Sequence, residues 1–275
     1  MPIAQERLKF FAQFIEKEIG IIYADTNYFQ LEHRLSDIVT LLGLKSLDEL
    51  WEKAKYGIAG QMRDLILDVA TNNETSFFRD ALIFKGLTTK IVPEVLALAP
   101  QTKKIRIWSA ASSTGQEAYS CAMAMEIAKQ EKPDFPDYEI FVTDISERVL
   151  KRCQEGYYTQ LEVQRGLPAK LLIQFFDNEG ENKWRVKSAL RDKLQFQKLN
   201  LLSPFPPLGD FDLILCRNVL IYQAVENKKQ VVGKMAKCLS SKRYLVLGSA
   251  ESMLGVSDEF NQVYHETAVF YQKKI

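Results

Sequence analysis

A segment of small and polar residues follows the apolar run 105–109 and ends at an acid, Glu117. It reads Ala-Ala-Ser-Ser-Thr-Gly-Gln, and we expect a strand before it and a helix that begins near Glu117. Small side chains let a ligand approach the backbone, and free amides at a helix start favour a carboxylate or another anion. A tight turn whose Ser and Thr cap the helix accounts for the same residues.

A second acid, Asp144, ends the β-rich run 138–143 and is followed by Ser146. In a doubly wound α/β sheet, an acid at the tip of the second strand accepts the hydroxyl hydrogens of a ribose. The alternative is a cap for the helix expected over 147–153. Because Glu117 and Asp144 take the cofactor positions of consecutive units, the pair favours a nucleoside cofactor more than either acid does alone.

Two further polar segments could line a pocket. Residues 71–80 read Thr-Asn-Asn-Glu-Thr-Ser-Phe-Phe-Arg-Asp, although an interdomain turn with Phe77 and Phe78 in the core accounts for them equally well. Residues 211–216 are nearly all apolar, which is typical of a parallel strand buried on both faces. Open α/β sheets bind ligands just past such strands. Arg217, Asn218 and Tyr222 follow the run 211–216, so they are candidates for ligand binding.

Histidine-based catalysis, metal binding and disulfide formation have few suitable residues in this sequence. The histidines are His33 and His265, so a histidine triad or a histidine-rich metal site has little material, and we expect no metal. The cysteines form no CxxC pair, which suits free thiols in a reducing cytosol. They are Cys121, Cys153, Cys216 and Cys238.

The charge balance limits the partners. Lys and Arg number 36 against 35 Asp and Glu, so no global field attracts nucleic acid or an anionic membrane. No segment holds the ~18 uninterrupted apolar residues of a membrane span. We therefore expect a cytoplasmic monomer that neither binds nucleic acid nor inserts into a membrane.

The patterning divides the chain into a helical part, residues 1–80, and an α/β part, residues 85–275. In the second part short β-rich runs alternate with helical stretches, which predicts a doubly wound, Rossmann-like parallel sheet. The run 268–271 could close this sheet as an antiparallel edge. The stretch from about 156 to 193 does not fit the repeat and is interpreted as an insertion.

Four motifs in order resemble those of CheR-type chemotaxis receptor methyltransferases. They are Asn-Asn-Glu-Thr-Ser-Phe-Phe-Arg at 72–79, Trp-Ser-Ala-Ala-Ser-Ser-Thr-Gly-Gln-Glu-Ala-Tyr-Ser at 108–120, Thr-Asp-Ile-Ser at 143–146 and Cys-Arg-Asn-Val-Leu-Ile-Tyr at 216–222. The resemblance implies a small helical N-terminal domain and an S-adenosylmethionine-binding α/β domain with an inserted antiparallel β subdomain. It also implies methylation of glutamate carboxylates on the cytoplasmic helical bundle of a methyl-accepting chemoreceptor, with S-adenosylhomocysteine as the second product.

The resemblance assigns roles to individual residues. The residues that would contact the cofactor are Asn73, Thr75, Arg79, Glu117, Asp144, Asn200, Leu201, Arg217 and Asn218. Asp144 would take the ribose. Arg79 and Tyr222 would also face the reacting methyl group and the substrate carboxylate, and these two are the candidate catalytic residues.

The chain departs from the family pattern in places. Gln116-Glu117-Ala118 stands where Glu-Glu-Pro is common, and Arg34 is followed by Asp37 rather than by further basic residues on the expected docking helix. The compact turn 176–184 lacks the GxG of relatives that tether to a receptor tail peptide, so we expect no tight tail binding. Other interpretations are a methyltransferase of another substrate and a non-catalytic S-adenosylmethionine-binding module. The missing GxGxxG disfavours a nicotinamide dehydrogenase.

Overall fold

The computed structural model describes residues 5–99, 101 and 104–275. The predicted helical part, residues 1–80, begins with four positions, 1 to 4, that lie outside the described residues. The N-terminal helices are α1 (Gln5–Ile19), α2 (Tyr28–Leu41), α3 (Leu47–Ala54) and α4 (Gly60–Ala70). The apolar faces of the first two helices are buried, and Phe11 and Ile15 belong to the same core cluster as Leu31 and Leu35.

Local signals set the helix ends in this part of the chain. Gly43 has a φ of 64°, so it provides the left-handed residue that follows α2. The Ser46 side chain accepts a hydrogen bond from the Glu49 amide and caps α3. Both signals were readable in the sequence.

Helices α5 (Ala81–Gly86) and α6 (Val92–Leu98), joined by a π-helical turn, Leu87–Ile91, lead into the α/β part. Its main helices are α7 (Gln116–Glu131), α8 (Glu147–Glu155) and, later in the chain, Val225–Lys237. The strands of the main sheet are β1 (Lys104–Ala110), β2 (Asp137–Asp144), β6 (Leu194–Lys198), β7 (Phe211–Cys216), β8 (Leu239–Leu247), β9 (Phe260–His265) and β10 (Ala268–Lys273).

The main sheet has the strand order β6-β2-β1-β7-β8-β10-β9. Strands β6, β2, β1, β7 and β8 pair in parallel, and β10 pairs antiparallel with β8 and with β9. In β1, Ile105 and Ile107 belong to the core cluster that includes α7, whereas Trp108 and Ala110 belong to the one that includes Val225–Lys237. Because alternate residues of a strand point to opposite faces, helices cover both faces, and the predicted doubly wound sheet is confirmed.

The prediction that the run 268–271 forms the edge of the sheet is wrong. The run 268–271 is antiparallel as expected, but β9 lies outside it and forms the edge. In β9 Phe260 is buried while Asn261, Gln262 and Tyr264 are exposed. A mostly solvated strand lacks the apolar run that marked the others, so the sequence pattern did not reveal it.

The irregular stretch is an insertion with its own small sheet. It contains β3 (Tyr157–Thr159), α9 (Gln160–Gln164), α10 (Ala169–Phe175), β4 (Phe176–Asn178), β5 (Lys183–Val186) and α11 (Ser188–Arg191). Strand β5 lies between β3 and β4 and pairs antiparallel with each, as the resemblance implied. We label Val225–Lys237 α12. None of the helices in the described ranges has the length and apolar character that a membrane crossing requires.

Candidate active site

A cavity that is open to solvent lies at the carboxyl ends of the central strands. Strands β2, β1 and β7 are parallel neighbours, so the segments that follow them meet at one edge of the sheet. All the candidate site residues named from the sequence line this cavity. They are Asn73, Thr75, Arg79, Glu117, Asp144, Asn200, Leu201, Arg217, Asn218 and Tyr222.

The loop between β1 and α7 shapes the floor of the cavity. Ala111 and Ser113 adopt φ values of 54° and 53°, a left-handed conformation that is uncommon for residues other than glycine. Gly115 has a φ of 94°, and a Cβ there would lie 2.1 Å from the Cys153 sulfur. The glycine is therefore required both by its backbone and by close packing. Helix α7 begins at Gln116, one residue before the predicted start.

Asp144 is 4% exposed at the tip of β2. Its Oδ2 accepts a hydrogen bond from the Ser113 amide at 2.9 Å, and its Oδ1 accepts one from the Ser146 amide at 3.0 Å. Burial raises the pKa of this carboxyl above its ordinary value, while the amide hydrogen bonds act in the opposite direction. Since a carboxylate has about four acceptor positions, each oxygen can accept a further hydrogen bond from a ligand.

The alternative interpretation of this segment is also correct in part. The Ser146 side chain accepts from the Val149 amide and caps α8. Its hydroxyl also contacts Asp68 of α4, and Arg148 Nε donates to Asp68 at 2.6 Å. The residues next to Asp144 therefore fix the helical part of the chain against the sheet.

Arg217 carries a buried positive charge beside the cavity, with 2% of its side chain exposed. Its Nη1 lies 3.0 Å from Glu117 Oε2, its Nη2 lies 2.5 Å from Asp80 Oδ2, and Nη2 also donates to the Arg79 carbonyl at 2.8 Å. Glu117 in turn accepts from the Ser109 hydroxyl at 2.9 Å. Arg217 Nε is buried and has no hydrogen-bond partner among the described residues.

Arg79 and Tyr222 have more accessible side chains. The Arg79 side chain is exposed and forms no ion pair within the described part of the chain. Tyr222 is 37% exposed, and its hydroxyl accepts a hydrogen bond from Asn72 Nδ2 at 2.8 Å. Both line the cavity, so a guanidinium and a phenol face a ligand that enters it.

The remaining candidates are held by the fold. Asn200 Nδ2 donates to the Glu18 carbonyl at 2.7 Å, and its Oδ1 accepts from the Leu202 amide at 2.9 Å. The Asn200 side chain therefore joins the helical part to the sheet. Leu201 is 7% exposed and belongs to the core cluster with Trp108, so it supplies an apolar wall.

The segment 72–79 reaches the cavity because its aromatic residues are anchored. Phe77 is 1% exposed and makes edge contacts with the rings of Tyr158 and Phe176, at centroid distances of 5.0 and 5.6 Å. Phe78 packs against Phe84 of α5 at 5.4 Å. Both interpretations of this segment hold: Phe77 is a core residue and the half-buried Phe78 packs against the core, while polar residues of the segment line the cavity.

Sequence reasoning missed several residues of the site. Ile19, the last residue of α1, and Ile21, just after it, line the cavity, and Ile21 forms an isolated antiparallel bridge with Gln223. Asp80, which pairs with Arg217, is the last residue of the polar segment 71–80 and was not among the predicted site residues. No local pattern marks any of these residues, because each reaches the site through a contact that is distant in the sequence.

The fold and the cavity define a class. A doubly wound sheet with an acid at the tip of β2, a helix N-terminus after β1 and an apolar wall binds a nucleoside-containing cofactor. Residues 73–269 match the family described as "CheR methyltransferase, SAM binding domain". This chain belongs to the CheR methyltransferase family, and it is an S-adenosylmethionine-dependent enzyme.

Three relatives match this chain over nearly the whole length of both proteins. A "Chemotaxis protein methyltransferase" of Vibrio parahaemolyticus is 37% identical over 100% of this chain and 99% of its own. "Chemotaxis protein methyltransferase Cher2" of Pseudomonas putida is 35% identical over 96% of each chain. "Chemotaxis protein methyltransferase 1" of Pseudomonas aeruginosa is 34% identical over 100% of each. The family predicted from the motifs is confirmed.

The residues of the cavity fit S-adenosylmethionine. Asp144 retains acceptor capacity for hydroxyl donors, and the paired Arg217 and Glu117 line the same cavity. Of the described residues that line the cavity, none is a histidine, lysine or cysteine. No group of three or more His, Cys, Asp or Glu suited to a metal ion occurs in the described ranges.

Proposed function

We propose that the enzyme esterifies glutamate side chains of membrane chemoreceptors, using the methyl group of S-adenosylmethionine. The observation that carries the proposal is that a guanidinium, Arg79, and a phenol, Tyr222, line the same cavity, whose other charged groups are already paired or hydrogen-bonded. A guanidinium and a hydroxyl are the groups that recognise a carboxylate. The names of the relatives support an acceptor that belongs to a chemotaxis pathway.

The acceptor chemistry needs no general base. A glutamate with a pKa near its ordinary value of about 4.3 is ionised at neutral pH and is ready to attack. When bound, S-adenosylmethionine supplies a methyl group on a positively charged sulfur, so transfer neutralises a cation and an anion. The protein must then align the oxygen with the methyl carbon and keep water out. This requirement explains how a cavity without a histidine suffices.

We assign the roles of the residues from the resemblance to the family, and their positions in the cavity support the assignment. Asp144 accepts the ribose hydroxyls, and Arg217 with Glu117 binds the charged amino-acid end of the cofactor. Leu201 packs against the apolar surface of the cofactor, while Asn73, Thr75, Asn200 and Asn218 contribute polar contacts along the cavity. Arg79 orients the acceptor carboxylate through a planar fork, and Tyr222 adds a directional hydrogen bond. The acceptor glutamates lie on the cytoplasmic helical bundle of the receptor.

Membranes that contain the receptors of the source organism provide the test. After incubation with the enzyme and methyl-labelled S-adenosylmethionine, we expect label in the receptor bands that alkali releases as methanol, which is diagnostic of a methyl ester. The Arg79→Ala variant serves as the negative control. Alkali-stable label, or label in small molecules or nucleic acid, would contradict a glutamate acceptor.

A further inference from the structure

A carboxylate outside the motifs holds the backbone of the segment 217–222. Glu251 lies in the connection between β8 and β9. Its Oε2 accepts hydrogen bonds from the Asn218 amide at 2.8 Å and the Gly248 amide at 2.6 Å. Its Oε1 accepts from the Val219 amide at 2.9 Å and the Ile221 amide at 3.1 Å. Hydrogen bonds from amides to an ionised acceptor are about twice as strong as neutral ones.

The segment that Glu251 binds needs such support. The segment 217–222 begins where β7 ends, at Cys216, and leads into a short 3-10 turn, Leu220–Tyr222. Because its first residues lie beyond the strand, their amides have no partner in the sheet. Asn218 adopts a φ of 60°, which asparagine tolerates better than most residues but which local sequence alone does not enforce. The Glu251 carboxylate accepts hydrogen bonds from two amides before the 3-10 turn, those of Asn218 and Val219, and from the Ile221 amide within it.

We propose that Glu251 is a positioning residue for the methyl-transfer reaction. By fixing the backbone from Asn218 to Ile221, it determines where the side chains of Asn218 and Tyr222 stand relative to the bound cofactor and the acceptor carboxylate. The inference rests on the proposed function, because Tyr222 acts on the acceptor only in that reaction. Glu251 itself acts through this segment and touches neither reactant.

A second residue reports on the same arrangement. Gly248 supplies one of the amides, and a Cβ at this position would lie 2.6 Å from Asn218 Nδ2 and 2.8 Å from Glu251 Oε2. Gly248→Ala therefore displaces Asn218 and the carboxylate without removing the charge. Gly233 in α12 has nothing within 4 Å of its added Cβ, so Gly233→Ala is its matched control. Glu259, exposed in the same connection, provides the control Glu259→Gln.

The test compares Glu251→Gln with these variants. The glutamine amide nitrogen would face donors rather than accept from them, so we expect amide exchange at positions 218, 219 and 221 to speed up at least on the order of tenfold. Amides of β7 should keep their protection. Affinity for S-adenosylhomocysteine and kcat at saturating cofactor should each fall on the order of tenfold, the scale of one weakened bond to a charged group. Gly248→Ala should change the same quantities.

A purely structural role predicts another pattern. It would lower the free energy of unfolding and leave the affinity and kcat of the folded protein unchanged, and that result would overturn the proposal. Unchanged exchange at the three amides would overturn it as well. If Glu251→Gln does not fold, Gly248→Ala decides by the same measurements. Exchange and S-adenosylhomocysteine affinity need no acceptor, so they stay informative even if the enzyme does not methylate receptor glutamates.

Discussion

Replacing Asp144 with alanine separates its proposed role in binding from its role in the fold. The side chain is buried and accepts from the Ser113 and Ser146 amides, so Asp144→Ala leaves two donors unpaired. Hydrogen bonds to charged groups contribute roughly 1.5 to 3 kcal/mol each. Removal of the carboxylate also removes its desolvation cost, which is the cause of its raised pKa. We therefore expect the free energy of unfolding to fall by only about 1 to 3 kcal/mol.

Cofactor affinity should fall further. The ribose hydroxyls would lose one or two charge-assisted hydrogen bonds, which together contribute about 2 to 4 kcal/mol to binding. The dissociation constant of the complex should therefore rise roughly 30- to 700-fold. Isothermal titration calorimetry with S-adenosylhomocysteine measures this directly, and Asp134→Ala, at an exposed position, is the matched control. A folded Asp144→Ala protein that binds with wild-type affinity would refute the ribose assignment.

Further predictions concern pH, the reaction centre, the loop and the insertion. Because burial raises the pKa of Asp144 and the ionised form binds the ribose, S-adenosylhomocysteine affinity should fall as pH decreases, beginning above the range of an ordinary Asp; calorimetry across pH would show no such loss if Asp144 is not involved. Arg79→Ala should abolish most transfer in a folded protein and Arg79→Lys should restore little, whereas near-normal activity of the lysine variant would reduce Arg79 to a local charge. Gly115→Ala should destabilise the fold by several kcal/mol in denaturant titrations, since its Cβ would meet the Cys153 sulfur; a stable variant would contradict the packing argument. Peptides from the receptor tails should bind weakly or not at all, and a micromolar complex that is lost when 177–183 is replaced would prove this wrong.

The central strands and their tips were predictable because they rest on local signals. The run 211–216 is apolar on both faces, and Asp144 with Ser146 marks the end of a strand and the start of a helix within three residues. Parallel strands with helices between them then bring their tips to one edge. The position of the cavity therefore followed from the pattern, while the roles of individual residues came from the resemblance.

The partners of those residues were not predictable, because they depend on contacts between distant parts of the chain. Asp80 pairs with Arg217 across 137 positions, and Asn200 is tied to the Glu18 carbonyl across 182. Glu251 lies in a connection that contains no motif. It reaches the backbone of the segment 217–222 only because β7 and β8 are neighbours in the folded sheet. Strand β9 was not predictable for another reason: too few of its residues are buried to produce an apolar pattern in the sequence.

The central claim concerns the acceptor, and site-resolved mass spectrometry tests it most directly. A purified cytoplasmic fragment of a chemoreceptor from the source organism would be incubated with the enzyme and S-adenosylmethionine that carries an isotopically labelled methyl group, and then digested and mapped. We predict the label on glutamate side chains of the fragment, as an ester that alkali removes, and its absence with Arg79→Ala. Label on any other residue type, or an unlabelled fragment from an enzyme that binds S-adenosylhomocysteine normally, would contradict the account.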